Sequence, residues 1–174
     1  MPYFLAAYAA RFALTKEGLN YLMNTNTISL PHAKDLMQQP PRSPRLRLDG
    51  YVIMARMIDK GRATLNGTNG EYHFNCPVDN MLFGFKGVAG EEVRKLLLSG
   101  ATDEQVAEWF DTHGTPKSPA EITAWSDQTE RFSYSTVPEK KEWFGEECRR
   151  LRLDPAKASL FDYLEADDRD SHRM

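Results

Sequence analysis

Helix-start signals recur along the second half of this sequence, and they constrain its fold more than any other feature. Two capping boxes, Thr102–Gln105 and Ser118–Glu121, place a hydroxyl three residues before a side chain that bonds back to the backbone. Proline, which is favoured at the first helical position, stands at Pro77, Pro119 and Pro138. The sequence therefore predicts several short helices in succession.

The balance of aliphatic residues favours the same fold class. Leu and Ala together number 33 and Val and Ile only 10, which supports helices and disfavours sheets. We expect a mostly α fold: a compact multi-helix domain with irregular Pro/Arg-rich and Gly-rich loops, and room for one very short strand or hairpin near residues 71–74. The length of 174 residues suits one domain, predicted over residues 31–174 after an N-terminal helical arm over residues 1–30.

A central helix is predicted from Tyr51 to Leu65, where apolar residues recur at helical spacing. Asn66-Gly67 is a typical helix end. Gly61 lies inside this helix, where glycine costs about 1 kcal/mol relative to Ala. Close packing by another helix or a ligand would explain it, and tolerated strain is the alternative.

Net charge and cysteine usage exclude several classes of function. The charge of −3 at pH 7 is too small to attract bulk nucleic acid or an anionic membrane. The apolar stretch over residues 2–10 is shorter than the roughly 20 residues that span a bilayer. Cys76 and Cys148 form no disulfide framework, so we expect a soluble protein of the reducing cytoplasm. The four histidines share no helix face, and we predict no metal and no cofactor.

The strongest local charge asymmetry lies between Arg42 and Arg62, a segment that contains six basic and two acidic residues. The first arginines stand in a proline-fixed extended loop, and their planar forks match carboxylate or phosphate oxygens. This pattern predicts a small anionic ligand, with the following ligand-binding candidates: Arg42, Arg45, Arg56, Lys60 and Tyr72. Two alternatives stay open: the arginines pair with the acidic C-terminal helix, or the charges on the central helix form a solvated face.

The second candidate cluster surrounds Cys76. If Pro77 begins a helix, Cys76 is its N-cap, where backbone N–H groups favour a negative charge on sulfur. His73, three residues earlier, is a candidate base, and Asp59 is a candidate acid–base partner. The alternative is that Cys76 is a small core residue and that Asp79 only complements the positive helix end.

Several of these segments together resemble a bacterial domain-of-unknown-function family, number 5069. The residues that carry the resemblance are Pro40-Pro41-Arg42-Ser43-Pro44-Arg45, Ile58-Asp59-Lys60-Gly61-Arg62-Ala63, Cys76-Pro77-Val78-Asp79 and Leu160-Phe161-Asp162-Tyr163-Leu164. The resemblance covers residues 33–172. It implies that the Arg-rich loop, the central helix and the Cys-Pro segment belong to one shared site. It does not assign a catalytic residue, because none is established for the family.

Three functions follow as hypotheses. The leading one is a soluble helical domain with a single polar pocket that binds a small anionic molecule. The second is an enzyme that uses Cys76 as nucleophile and His73 as base. The third is a protein-interaction module that docks through the N-terminal arm or the acidic tail. The sequence leaves the oligomeric state open.

Overall fold

A computed structural model of the chain describes residues 33–172, so the predicted N-terminal arm lies outside the described residues. Within that range the fold is mostly helical and compact, as the sequence predicts. Seven α-helices are described: α1 (Met54–Asn66), α2 (Pro77–Lys86), α3 (Gly90–Leu98), α4 (Asp103–Thr112), α5 (Pro119–Arg131), α6 (Pro138–Arg150) and α7 (Leu160–Ser171). One short 3-10 helix, Tyr134–Thr136, stands between α5 and α6.

The predicted helix starts are confirmed. Thr102 and Ser118 cap α4 and α5, and both reciprocal bonds of each capping box are present. Helices α2, α5 and α6 begin at prolines, as the preference of proline for the first helical position requires. The last helix, α7, adds a capping box in which Ser159 pairs with Asp162. Local sequence therefore determines where most of these helices begin.

The central helix begins at Met54, and the prediction that it begins at Tyr51 was wrong. Asp49, Gly50 and Ile53 all have positive φ, of 50°, 84° and 70°, so the chain turns twice before it enters the helix. The end of the helix is confirmed, since Gly67 adopts the left-handed conformation with φ 69°.

The predicted short strand near residues 71–74 is absent from the structure. Gly70 and Asn75 have positive φ, and the Tyr72 N–H donates to the Asn69 carbonyl at 2.9 Å, so this segment is a succession of turns. The β-bridge present within residues 33–172 is an isolated one that pairs Leu48 with Tyr51.

Helix α1 lies at the centre of the molecule, and every residue from Met54 to Ala63 is buried. A Cβ at Gly61 would lie 2.3 Å from Leu97 Cδ1 of α3, which confirms the prediction that this glycine allows close packing by another helix. A smaller cluster of Phe144, Cys148 and Ala158 packs beside the main core. Along residues 33–172, no helix is both long and apolar enough to cross a membrane.

The charged side chains of α1 are buried as well. Arg56, Asp59, Lys60 and Arg62 are each between 3% and 6% exposed, so the prediction of a solvated helix face was wrong. Buried charges are tolerated when they are paired and hydrogen-bonded. The partners of these four residues therefore show which side of α1 forms ion pairs that stabilise the fold and which side presents functional groups to a cavity.

Candidate functional site

One cavity of about 470 Å³ opens beside α1. Helix α1 and the turns before α2 form one side of it, and α7 forms the other. Its polar and charged lining residues are Arg56, Lys60, Glu71, Tyr72, His73, Cys76, Asp167, Asp168, Ser171 and His172. Leu36, Met37, Val78 and Leu164 supply an apolar wall. The volume lies in the range of small-molecule pockets, roughly 300–1,000 Å³.

Arg56 forms a two-pronged ion pair with Asp168 of α7. Its Nη1 and Nη2 atoms donate to the two carboxylate oxygens at 2.6 and 2.8 Å, and the pair is almost fully buried. The Tyr72 hydroxyl donates to the same carboxylate at 2.9 Å, and the Arg56 guanidinium lies over the Tyr72 ring. Burial lowers the pKa of Arg56, but the Asp168 carboxylate outweighs that effect and leaves this pKa above its ordinary value.

Lys60 links a buried carboxylate to the cavity sulfur. Its Nζ atom lies 2.8 Å from Asp79 Oδ1 and donates to the His73 carbonyl and to Cys76 Sγ, both at 3.1 Å. The ammonium thus makes one buried ion pair and two hydrogen bonds. The ammonium therefore places a positive charge in direct contact with the cavity sulfur.

Asp79 lies beneath this arrangement and is fully buried. The prediction that Pro77 begins a helix with Cys76 as its N-cap is confirmed, and this makes Asp79 the third residue of α2. Burial raises the pKa of Asp79, while Lys60 and the backbone N–H groups of Cys76 and Asn75 act in the opposite direction. The carboxylate therefore holds Lys60 and the first turn of α2 together.

Two histidines line the cavity in different ways. His73 is exposed, and its side chain has no hydrogen-bond partner among residues 33–172. His172 follows α7, and its two ring nitrogens lie 3.1 Å from the Asp168 carbonyl and 3.3 Å from the Leu36 carbonyl. Its ring also stacks on Tyr72. His73 is thus available to a ligand, while His172 ties the chain before α1 to the end of α7.

The cavity brings together five of the eight residues that the sequence singled out. They are Arg56, Lys60, Tyr72, His73 and Cys76. Asp59, Arg42 and Arg45 lie elsewhere. The shared site implied by the resemblance thus contains the central helix and the Cys-Pro segment, whereas the arginines of the extended loop face other partners.

Asp59 and Arg42 belong to an ion-pair network on another side of α1. Arg42 contacts Asp59 through its backbone N–H at 2.8 Å and through its guanidinium, which also reaches Asp103. Arg62 binds the other Asp103 oxygen at 2.7 Å. Lys34 completes the network 3.3 Å from Asp59. Every charge here has an opposite charge beside it, which is the arrangement expected of a structural clamp.

Arg45 pairs with α7 through Asp162 at 2.8 Å and Glu165 at 3.0 Å. Together with the pair of Arg56 and Asp168, these contacts confirm pairing with the acidic C-terminal helix for two residues of the Arg-rich segment, Arg45 and Arg56. Arg47 pairs instead with Asp127 and Glu130 of α5.

Three residues of the site received no site role in the sequence: Asp168 and His172, which line the cavity, and Asp79, which lies beneath it. Asp79 carried a local signal, because it follows Cys-Pro at the third helical position. Asp168 and His172 lie about a hundred residues from Arg56 and Tyr72, and no local pattern marks such a contact. Along residues 33–172, no group of three or more His, Cys, Asp or Glu side chains is arranged to hold a metal ion.

The fold and the cavity define a helical protein with a thiol, a buried lysine and two histidines around one pocket. The chain belongs to the family described as Domain of unknown function (DUF5069), whose model matches residues 38–170. No curated protein matches the chain. The bacterial origin expected for the family stays a prediction.

Proposed function

We propose that the cavity binds a small molecule and presents it to Cys76, whose sulfur acts as a nucleophile. The observation that carries this proposal is the 3.1 Å contact between the Lys60 ammonium and Cys76 Sγ inside a cavity that is open to a ligand. A thiolate is the reactive form of cysteine, and both the Lys60 ammonium and the N-terminus of α2 place positive charge beside this sulfur.

The neighbouring groups suit the steps that a nucleophilic reaction needs. The thiolate bonds to an electrophilic atom of the ligand, and the leaving group departs with the electron pair of the broken bond. His73 lines the same cavity with a free imidazole, so it is placed to exchange a proton with that leaving group. Burial and the Asp168 carboxylate raise the pKa of Tyr72, so this hydroxyl stays protonated at neutral pH and serves as a donor.

Anion binding, the leading hypothesis from the sequence, stays a prediction. Arg56 and Lys60 do line the cavity, which supports it. Their donors, however, already meet Asp168 and Asp79 in the structure. Asp59, predicted as an acid–base partner, contacts Arg42 and Lys34 outside the cavity, so the nucleophilic reaction as proposed does not use it.

The remaining predictions are also proposals. A reducing compartment such as the cytoplasm would keep Cys76 in the reduced form that this function requires, and both cysteines are free in the structure. Docking of a partner through the N-terminal arm concerns residues outside the described range. The acidic tail is the less favoured docking element, because Asp162, Glu165 and Asp168 of α7 already bind arginines.

The test is the rate at which iodoacetamide alkylates Cys76 at neutral pH. We expect a rate about tenfold above that of a small neutral thiol, N-acetylcysteine amide, because the thiolate is favoured. Cys148 is an internal control, since it is fully buried and burial raises its pKa. Peptide mass spectrometry assigns the modification to each cysteine.

The control variant removes the cation without leaving a buried charge alone. The double variant Lys60→Met with Asp79→Asn keeps the volumes similar, and we expect its Cys76 to react as slowly as the free thiol. Circular dichroism confirms that the variant is folded. If Cys76 of the unmodified protein reacts no faster than N-acetylcysteine amide, the proposal that Cys76 acts as a nucleophile is contradicted.

A further inference from the structure

We infer that the cavity selects electrophiles that are neutral or positively charged over anionic ones. This inference rests on the proposed function and adds the charge class of its ligand. The number of basic residues in the cavity does not by itself predict this preference. The preference follows instead from which of the cavity's charges lack an ion-pair partner.

The cations of the cavity already direct donors at partners within the fold. The Arg56 guanidinium directs both terminal nitrogens at Asp168, at 2.6 and 2.8 Å. The Lys60 ammonium is occupied by Asp79, the His73 carbonyl and Cys76 Sγ. An anion that took the same donors would have to displace one of these buried contacts, and breaking a buried ion pair costs more than an exposed pair returns.

Carboxylates, in contrast, outnumber cations in the lining. The cavity is lined by three acids, Glu71, Asp167 and Asp168. Its arginine and lysine lining residues are two, Arg56 and Lys60. Glu71 has no ion pair or hydrogen bond within the part of the chain that the structure describes. Asp167 lies 2.6 Å from Arg150, but that arginine is shared with Glu147 and Asp170.

The remaining wall of the cavity is apolar, with Leu36, Met37, Val78 and Leu164. This wall favours a ligand with an uncharged body, and the acids at the rim favour a neutral or cationic group. A small electrophile with an apolar portion and an amine or ammonium group combines both features.

Three thiosulfonate reagents that differ in charge measure this preference directly. They are neutral methyl methanethiosulfonate, its cationic trimethylammonium-ethyl analogue and its anionic sulfonatoethyl analogue. In each case the Cys76 thiolate attacks the sulfenyl sulfur, a disulfide bond forms, the sulfur–sulfur bond of the reagent breaks, and methanesulfinate leaves with the electron pair. Each rate constant is divided by that of the same reagent with N-acetylcysteine amide, which removes the intrinsic reactivity.

We expect the normalised rate of the cationic reagent to exceed that of the anionic reagent by about fivefold or more at low salt, since an unpaired carboxylate lies within the cavity. The Glu71→Gln variant is expected to reduce this ratio. Glu142→Gln is the matched control, because Glu142 is an exposed acid of α6 that does not line the cavity, and its ratio should equal that of the unmodified protein.

The size of the normalised rates tests whether Cys76 is a nucleophile. The ratio of the cationic to the anionic rate tests the charge preference of the cavity. If the anionic reagent has the highest normalised rate, the charge preference is overturned and the anionic ligand predicted from the sequence is supported. A ratio that Glu71→Gln leaves unchanged also contradicts the role of this carboxylate in the preference. Low normalised rates for all three reagents contradict the nucleophilic role of Cys76 in the proposed function. The ratio of these rates still shows whether the cavity prefers a cationic or an anionic ligand.

Discussion

Lys60 and Lys86 are both buried in the core, and their surroundings differ completely. Lys60 of α1 is 3% exposed and meets a carboxylate, a carbonyl and a sulfur. Lys86, the last residue of α2, is fully buried, and its Nζ atom has no hydrogen-bond partner among residues 33–172. Burial lowers the pKa of Lys86, and nearby Lys117 acts in the same direction against Asp111.

The comparison shows that burial alone does not define a functional charge. The Lys86 amine is buried without a hydrogen-bond partner among residues 33–172, which is a cost to stability, and it does not line the cavity that contains Cys76. In the Lys60 region, the charge is compensated from below by Asp79 and directed at a thiol that borders open space. A buried charge whose partners end at a reactive group in a cavity is the stronger indication of function.

The largest expected effect comes from making the Lys60 region resemble the Lys86 region. Asp79→Ala removes the carboxylate and leaves a buried ammonium without its counter-charge, which costs about 3–5 kcal/mol of unfolding free energy. Urea denaturation measures the loss. Asp127→Ala breaks the exposed pair with Arg47 and is expected to cost about 0–1 kcal/mol. Equal losses in the two variants would show that Asp79 does not compensate Lys60.

A smaller effect of opposite sign is expected from Lys86→Met, which replaces the unpartnered amine with an apolar side chain of similar length. We expect a gain of about 1–2 kcal/mol near neutral pH. The folded-state pKa of Lys86 is lowered, so protonation favours the unfolded state, and the penalty applies below that folded pKa. It fades as pH rises toward the ordinary value of 10.5.

Urea denaturation across this pH range checks both the gain and its disappearance. The exposed Lys95 of α3 supplies the control, because Lys95→Met should change stability little at any pH. A Lys86→Met gain that stays constant up to high pH would mean that packing, and not the buried charge, is responsible.

The smallest effect is expected where the lost partner is neutral. Tyr72→Phe removes one hydroxyl donor from Asp168, which keeps both bonds from Arg56, so the cost is about 0.5–1.5 kcal/mol. Tyr163→Phe is the matched control, because the Tyr163 hydroxyl has no hydrogen bond within the described residues. A loss as large as that of Asp79→Ala would show that Asp168 depends on Tyr72 more than on Arg56.

Local chemistry explains how much of the fold could be predicted. The capping boxes at Thr102 and Ser118, the proline starts and the Gly67 stop are all interactions within one turn, and each was predicted correctly. The predicted strand near residues 71–74 and the start of the central helix were wrong. Both depend on residues with positive φ, such as Asn75 and Ile53, whose conformation is stabilised by distant contacts. The Ile53 N–H, for example, donates to the Pro44 carbonyl at 2.8 Å.

The candidate site was predicted in part for the same reason. The Cys76 cap, the nearby His73 and the basic residues of α1 are visible in the sequence, and the structure places them around one cavity. The sequence could not show which arginines have partners. Arg42 and Arg45 resemble ligand-binding residues by composition and position, but Asp59, Asp103 and α7 already satisfy them.

The sequence by itself therefore determined the helical class, most helix boundaries and the thiol at the start of α2, because these depend on neighbours within a few residues. Only the tertiary structure decided which charges are compensated and which groups face the cavity. The pairs of Arg56 with Asp168 and of Lys60 with Asp79 join separate elements of the fold. Their energies depend on burial and on distances of a few ångströms, and a linear sequence contains neither.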